Sequence, residues 1–252
     1  MKKLLFVLLL SPLLSSAQLN ESDSLKVKAE LALTGFWQRG NVQTSIFRGR
    51  TDLSVRPWKK WVFKNTNSYV YQAFGKVKAD EDILSLNFLY FNPDKRVYPL
   101  ALAFMSTNFR RAIDSRYLIG GGATFQVIRK KSKMLKFSLT CEYEATEFKQ
   151  TVFNREEFNG KSNINTIRGT IWINGKYDLF DKKMTLSHES YFQPSLENGQ
   201  NYRWRAEVGL AFPVWKFLNF NVNFIDTFES IVIQEQVQED RFLTFGFSLK
   251  SF

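Results

Sequence analysis

The sequence predicts an all-β protein: a closed antiparallel transmembrane β-barrel, most simply of twelve strands, with short periplasmic turns and longer extracellular loops. Three observations lead there. Hydrophobicity alternates in segment after segment, the chain starts with an export-type leader, and the connections tend to alternate between short and long. Composition narrows the field in the same direction. With 252 residues, 16% aromatic, 23% charged and a mean hydropathy of −0.26, the chain is neither disordered nor a helical membrane bundle. One Cys excludes a disulfide framework and a multi-cysteine zinc site, and one His excludes a multi-histidine metal centre. No metal and no cofactor is expected.

The first element is the leader, residues 1–17. Lys2 and Lys3 precede an apolar run over 4–10, and Ser15, Ser16 and Ala17 supply a small-residue end, the three-part pattern of a cleavable secretory signal. Ser11 and Pro12 interrupt the run short of the ~20 residues that span a bilayer. Residues 18–26 then form a short periplasmic segment and 27–252 the barrel. No cysteine lies near the cleavage point to carry a lipid anchor.

Alternation marks the strands. Leu135, Phe137, Leu139, Cys141 and Tyr143 interleave with Lys136, Ser138, Thr140, Glu142 and Glu144, which gives one apolar and one polar face. Twelve such segments are expected, at about 27–38, 42–55, 61–74, 82–92, 97–109, 116–129, 134–148, 163–178, 184–195, 201–214, 217–229 and 240–252. Most exceed the ~9–11 residues that a tilted strand needs to cross hydrocarbon. Gaps after even-numbered strands are short, and most after odd-numbered strands are longer, above all 149–162 and 230–239. Trp58, Trp61, Tyr69, Tyr71, Tyr90, Tyr98, Tyr117, Tyr177, Tyr191, Tyr202, Trp204 and Trp215 fall mostly near segment ends, as interfacial girdles require. A soluble sandwich is the competing fold, and it gives no reason for that placement.

The formal charge of +11 invites a nucleic-acid partner, but its distribution argues for none. Lys59, Lys60, Lys95, Arg129, Lys130 and Lys183 gather at the short turns, where outer-membrane lipid head groups would meet them. The last strand ends at Phe252, and a terminal Phe after an alternating strand resembles the signal read by the barrel-assembly machinery. Leu243, Phe245, Phe247 and Leu249 are out of phase with Phe252, which asks for a bulge near Lys250 or an inward terminal ring.

Several motifs carry a resemblance to a family. Gly35 and Gly40-Asn41 mark the first hairpin, and Tyr191 to Ser195, Asn201 to Arg203 and Thr227 to Ser230 follow in order before the final strand. In these the chain resembles the YdiY-like family, a domain of unknown function also labelled salt-induced outer-membrane protein. The family's usual Tyr-Asp-Ser is here Phe228-Glu229-Ser230. The resemblance implies a Gram-negative outer-membrane barrel without an assigned reaction.

Candidate functional residues lie on the polar strand faces, which point into the lumen: Lys28, Glu30, Arg48, Arg50, Asp52, Lys64, Lys136, Glu142, Glu144, Arg168, Glu189, Arg203, Arg205 and Glu207. Twelve strands give a backbone radius of roughly 12 Å, and long side chains reach about half of that. The expected lumen is therefore narrow and salt-bridged. Mixed signs leave no ring of one charge to select ions. The one catalytic lead is His188 with Ser190, which share a strand face and resemble the His-x-Ser pair of outer-membrane phospholipase A; Asn174 or Asn201 would orient the His if register allowed. Gly120, Gly121 and Gly122 form no phosphate loop, since no Gly-Lys-Ser/Thr follows them. The reading is a non-enzymatic outer-membrane barrel, structural or a narrow passive pore. The alternatives are a lipid-acting hydrolase and a barrel that binds partners through its long loops.

Overall fold

In the computed structural model, which describes residues 26–39, 43–130, 132–215 and 218–249, strands follow the alternating segments closely. They are β1 (Val27–Gln38), β2 (Thr44–Trp58), β3 (Trp61–Phe74), β4 (Val77–Phe91), β5 (Val97–Asn108) and β6 (Ile113–Lys130). The second half holds β7 (Lys133–Phe148), β8 (Asn163–Leu179), β9 (Met184–Pro194), β10 (Tyr202–Trp215), β11 (Leu218–Glu229) and β12 (Glu239–Leu249). All pair antiparallel with their chain neighbours in one twelve-stranded sheet. A single turn of 3-10 helix, Glu156–Phe158, sits in the β7–β8 connection. The sheet curls until its inner face meets itself: Arg116 on β6 reaches Glu229 on β11, and Phe88 on β4 touches Trp172 on β8. Among the described residues β1 and β12 do not pair with each other.

Burial is inverted relative to a water-soluble sheet. On β7 the polar residues Lys136, Ser138, Thr140, Glu142, Glu144 and Thr146 are the buried ones, while Leu139 and Tyr143 are 45% and 51% exposed. On β8 Thr166, Arg168 and Thr170 are buried, whereas Ile167, Ile171 and Ile173 face out. A soluble sandwich would bury the other parity, because apolar surface left in water costs ~25 cal/mol per Å².

Three sequence expectations change. The fourth strand starts at Val77, not 82, because Gly75 (φ +55°) and Lys76 (φ +68°) make a two-residue turn after Phe74. Both central residues at positive φ match the twist of the flanking strands, and the charges at 80–82 belong to the strand. That connection is thus short although it follows an odd-numbered strand. Second, Tyr90 and Tyr98 point inward, 8% and 1% exposed, instead of joining an outer girdle. They pack with Val62, Leu100 and Leu102, with Phe88 and Phe104 against the same cluster. On β5 large residues turn in and Pro99, Ala101 and Ala103 turn out, so this wall segment is lined by apolar bulk rather than charge. Third, the longer connections 149–162 and 230–238 are not separate loops but pack on each other. Phe153, Phe158, Ile231 and Ile233 form a buried cluster with Ala112, Ile113, Phe148 and Ile164. The two loops are joined by a bridge between Phe153 and Ile233 and by Asn154, whose Nδ2 donates to Ser230 O (3.0 Å) and whose Oδ1 accepts from Val232 N–H (3.1 Å). This cap lies at one end of the curled sheet, with Phe148, Ile164 and Ile231 beside Arg116 and Glu229.

At the opposite rim, with the short turns, Trp58, Phe180 and Trp215 are 69%, 72% and 76% exposed. Residues 120 to 122 are glycines for a steric reason. A Cβ on Gly120 or Gly122 would overlap the carbonyl oxygens of Cys141 or Leu139 on β7, while one on Gly121 would lie 3.0 Å from Leu100 O. The strands β6 and β7 approach here too closely for any side chain.

Candidate functional site

The site grows from the inner faces of β6, β7, β8, β10 and β11. Period-2 alternation aims Arg116, Glu144, Arg168, Arg203 and Glu229 inward at neighbouring heights. Glu144, 1% exposed, is the hub. Arg168 Nε and Nη2 donate to its two oxygens at 2.9 Å each, and Arg203 Nη2 donates at 2.5 Å. Arg116 links this hub to a second one: its Nε lies 3.9 Å from Glu144, and its Nη1 and Nη2 donate to Glu229 at 2.8 and 2.9 Å. Arg111, in the β5–β6 connection, stands 3.6 Å from Glu229 and donates to Asp240 of β12 at 2.9 Å. The result is a belt of charge-assisted hydrogen bonds across the lumen just below the loop cap. In such a dry setting each ion holds its place only because its partners are present.

Toward the other rim the lining stays polar on one side. Arg50 donates to Asp52 (2.6 Å), Thr66 donates to the same carboxylate (2.6 Å), Arg205 donates to Glu207 (2.8 Å) and Asn174 donates to Glu189 (2.9 Å). Glu142 accepts from Thr170 at 2.7 Å and from Thr140. Phe88 and Phe104 meet Trp172 edge to face, at 6.4 and 6.2 Å between centroids, and Trp172 packs on Tyr191 at 4.8 Å. Belt, polar side and aromatic cluster line a cavity of about 530 Å³.

Of the residues singled out in the sequence, Arg50, Asp52, Lys64, Lys136, Glu189, Arg203, Arg205 and Glu207 line this cavity. Glu142, Glu144 and Arg168 are buried in the inner face beside it. Arg48 is exposed on β2, two residues before Arg50 on the same face. The side chains of Lys28 and Glu30 lie outside the described residues, as do the leader 1–17 and Phe252. Sequence reasoning missed Arg111, Arg116, Glu229 and Asp240. Arg116 had a signal, being in phase with Thr124 and Gln126, both buried on the inner face of β6.

His188 and Ser190 share the outer face of β9, and the imidazole is committed elsewhere. Its ring lies over Gly175, stacks on Tyr177 at 5.8 Å and has Nε2 3.4 Å from the Tyr177 hydroxyl. Asn174 serves Glu189 and Asn201 Oδ1 accepts from Arg168 (2.9 Å), so neither orients the His.

Fold and site together define an all-β protein of one kind: an antiparallel sheet with an apolar outer wall, curled round a charged interior. A solved structure of the NanC porin is similar in fold, with a TM-score of 0.53 over 88% of this chain and 100% of that chain at 11% identity. The chain belongs to the family described as protein of unknown function, DUF481, whose model matches residues 29–250. This is the YdiY-like family to which the hairpin and late-strand motifs pointed. No curated protein matches the chain.

Proposed function

We propose that the chain is exported by a cleaved leader to the outer membrane of a Gram-negative cell, closes there by pairing β1 with β12, and serves as a narrow passive pore that rests shut. The observation that carries this reading is the inverted burial of β7 and β8, which puts Leu139, Ile167, Ile171 and Ile173 where only lipid can cover them. Closure follows from the same setting, since an unpaired strand edge cannot persist in hydrocarbon. The exposed Trp58 and Trp215 on the short-turn rim suit a membrane interface, and Lys59 and Lys60 beside Trp58 suit anionic head groups. That rim is periplasmic in this reading, and the final strand is the one offered to the assembly machinery.

Narrowness is supported by the charged belt and by the packed loops beside it. A hydrolase reading has no geometric support, because His188 is held by Tyr177 rather than by Ser190. The test is to refold the full chain into planar bilayers and record single-channel current. Small, infrequent steps are expected, with no fatty acid released from the phospholipid. Large steady steps would overturn the shut state, and phospholipid hydrolysis abolished by Ser190→Ala would overturn the pore.

A further inference from the structure

The cavity is built with a shortage of acceptors, not of donors. Every acid that lines it is engaged. Asp52 accepts from Arg50, Glu207 from Arg205, and Glu189 from Asn174. Glu229 accepts from Arg116, Asp240 from Arg111, and Asp82 from the Phe109 N–H. Two guanidiniums of the same lining are not fully used. Arg111 Nη1 and Arg203 Nη1 are buried nitrogens with no hydrogen-bond acceptor among the described residues, on side chains whose residues are only 6% exposed. Arg111 Nη1 stands 3.6 Å from Glu229, whose nearer position Arg116 already takes at 2.8 Å. The remaining nitrogens of Arg203 are committed to Gln193 and Glu144. A buried N–H left unpaired costs a substantial part of its hydration, so both positions would gain from an anionic oxygen, which a guest reaches by displacing the side chains that now cover them. The lining as a whole has eight Lys and Arg against six Asp and Glu, which favours a guest of negative charge.

The rest of the lining asks for something different. Phe88, Phe104, Leu100 and Trp172 present ring and methyl surface to the same space. At about 530 Å³ the cavity falls in the ~300–1,000 Å³ range of small-molecule sites. Anion-seeking guanidiniums and an aromatic cluster in one lining are complementary to one kind of molecule. We infer that the cavity binds an organic carboxylate with a flat apolar body, the head group on Arg111 and Arg203 and the body against Phe88, Phe104 and Trp172. The inference rests on the sheet enclosing the cavity, as proposed above, but not on the passage of ions.

The test uses the full refolded chain in detergent micelles, titrated calorimetrically with 2-naphthoate and, separately, with its neutral counterpart 2-naphthylmethanol, empty micelles being subtracted. Naphthoate should bind at one site at least about tenfold more tightly than the alcohol, as a charge-assisted hydrogen bond predicts. Arg203→Gln or Arg111→Gln should remove about that factor, and Phe88→Ala, which leaves the belt intact, should weaken naphthoate as well. Retained heat-modifiable gel mobility identifies folded variants. Equal binding of acid and alcohol to the wild-type chain would overturn the site without any variant. So would saturation of the arginines by water alone, seen as no heat from naphthoate. Binding by a protein that shows no conductance would keep the site and discard the pore.

Discussion

Arg116 on β6 and Glu229 on β11 form a two-pronged pair across the lumen, with Nη1 and Nη2 donating at 2.8 and 2.9 Å, although 113 residues separate them in the chain. The pair ties opposite walls of the curled sheet and hands each wall on to a second carboxylate or guanidinium. Its energetics should be those of a buried ion pair.

Arg116→Ala or Glu229→Ala alone strands a charge in the belt and should destabilise the folded protein by about 3–5 kcal/mol. Arg116→Met combined with Glu229→Leu removes both charges and should cost much less than the sum of the two single changes. Urea unfolding followed by tryptophan fluorescence measures the cycle; additive losses would show that the two groups act independently.

Wall parity gives a second outcome. Leu139→Arg puts a charge on the outer face, where ~2–4 kcal/mol is expected near the bilayer midplane, while Asn221→Arg adds one to the inner face and should be milder. Thr140→Arg, also inner, should not be mild. Thr140 is 7% exposed and accepts from Trp172 Nε1 at 3.1 Å, so the site has no room. Yield of folded, heat-modifiable protein in liposomes separates the three.

The loop cap depends on one side chain. Asn154→Ala removes both of its side-chain bonds to the 230–238 loop, leaving its backbone N–H on Val232 O, and should expose that loop to protease while leaving the strands protected. The same variant should open more often in planar bilayers. An unchanged cleavage pattern would mean that the apolar cluster around Phe153 holds the loops without Asn154.

Glycine spacing on β6 supplies the fourth. Gly120→Ala and Gly122→Ala each drive a methyl into the backbone of β7 and should greatly reduce folded yield. Gly121→Ala meets only Leu100 O at 3.0 Å and should be tolerated better. Three equal yields would show that β6 and β7 can separate at little cost.

The strand set was legible because alternation is a direct record of which face turns outward, and it placed eleven of the twelve strand starts within about three residues. It erred at β4 because Asp80 and Glu81 read as part of the connection before a strand starting at 82. In fact Asp80 is buried and paired with Arg110 at 3.3 Å, and the Gly75-Lys76 turn was the signal that could have set the start. Parity also aimed Glu144, Arg168 and Arg203 inward, but it carries no information on which carboxylate meets which guanidinium. That depends on register between strands far apart in the chain, as with Arg116 and Glu229. The loop cluster was invisible for a similar reason: Val152-Phe153 and Ile231-Val232-Ile233 are ordinary apolar stretches until the curl brings them together.

The inverted burial also says where this protein keeps its heritable detail. In the lipid setting proposed above, Leu139, Ile167, Ile171 and Ile173 would face a fluid that accepts any greasy shape, so drift among aliphatic residues there would leave the molecule unchanged. Inside, Glu144 answers to three arginines at once, and no other residue type can replace it without a coordinated change in them. Selection therefore acts on every second residue, and relatives should come to differ first in their skin and last in their wet interior, the reverse of what a water-soluble domain allows.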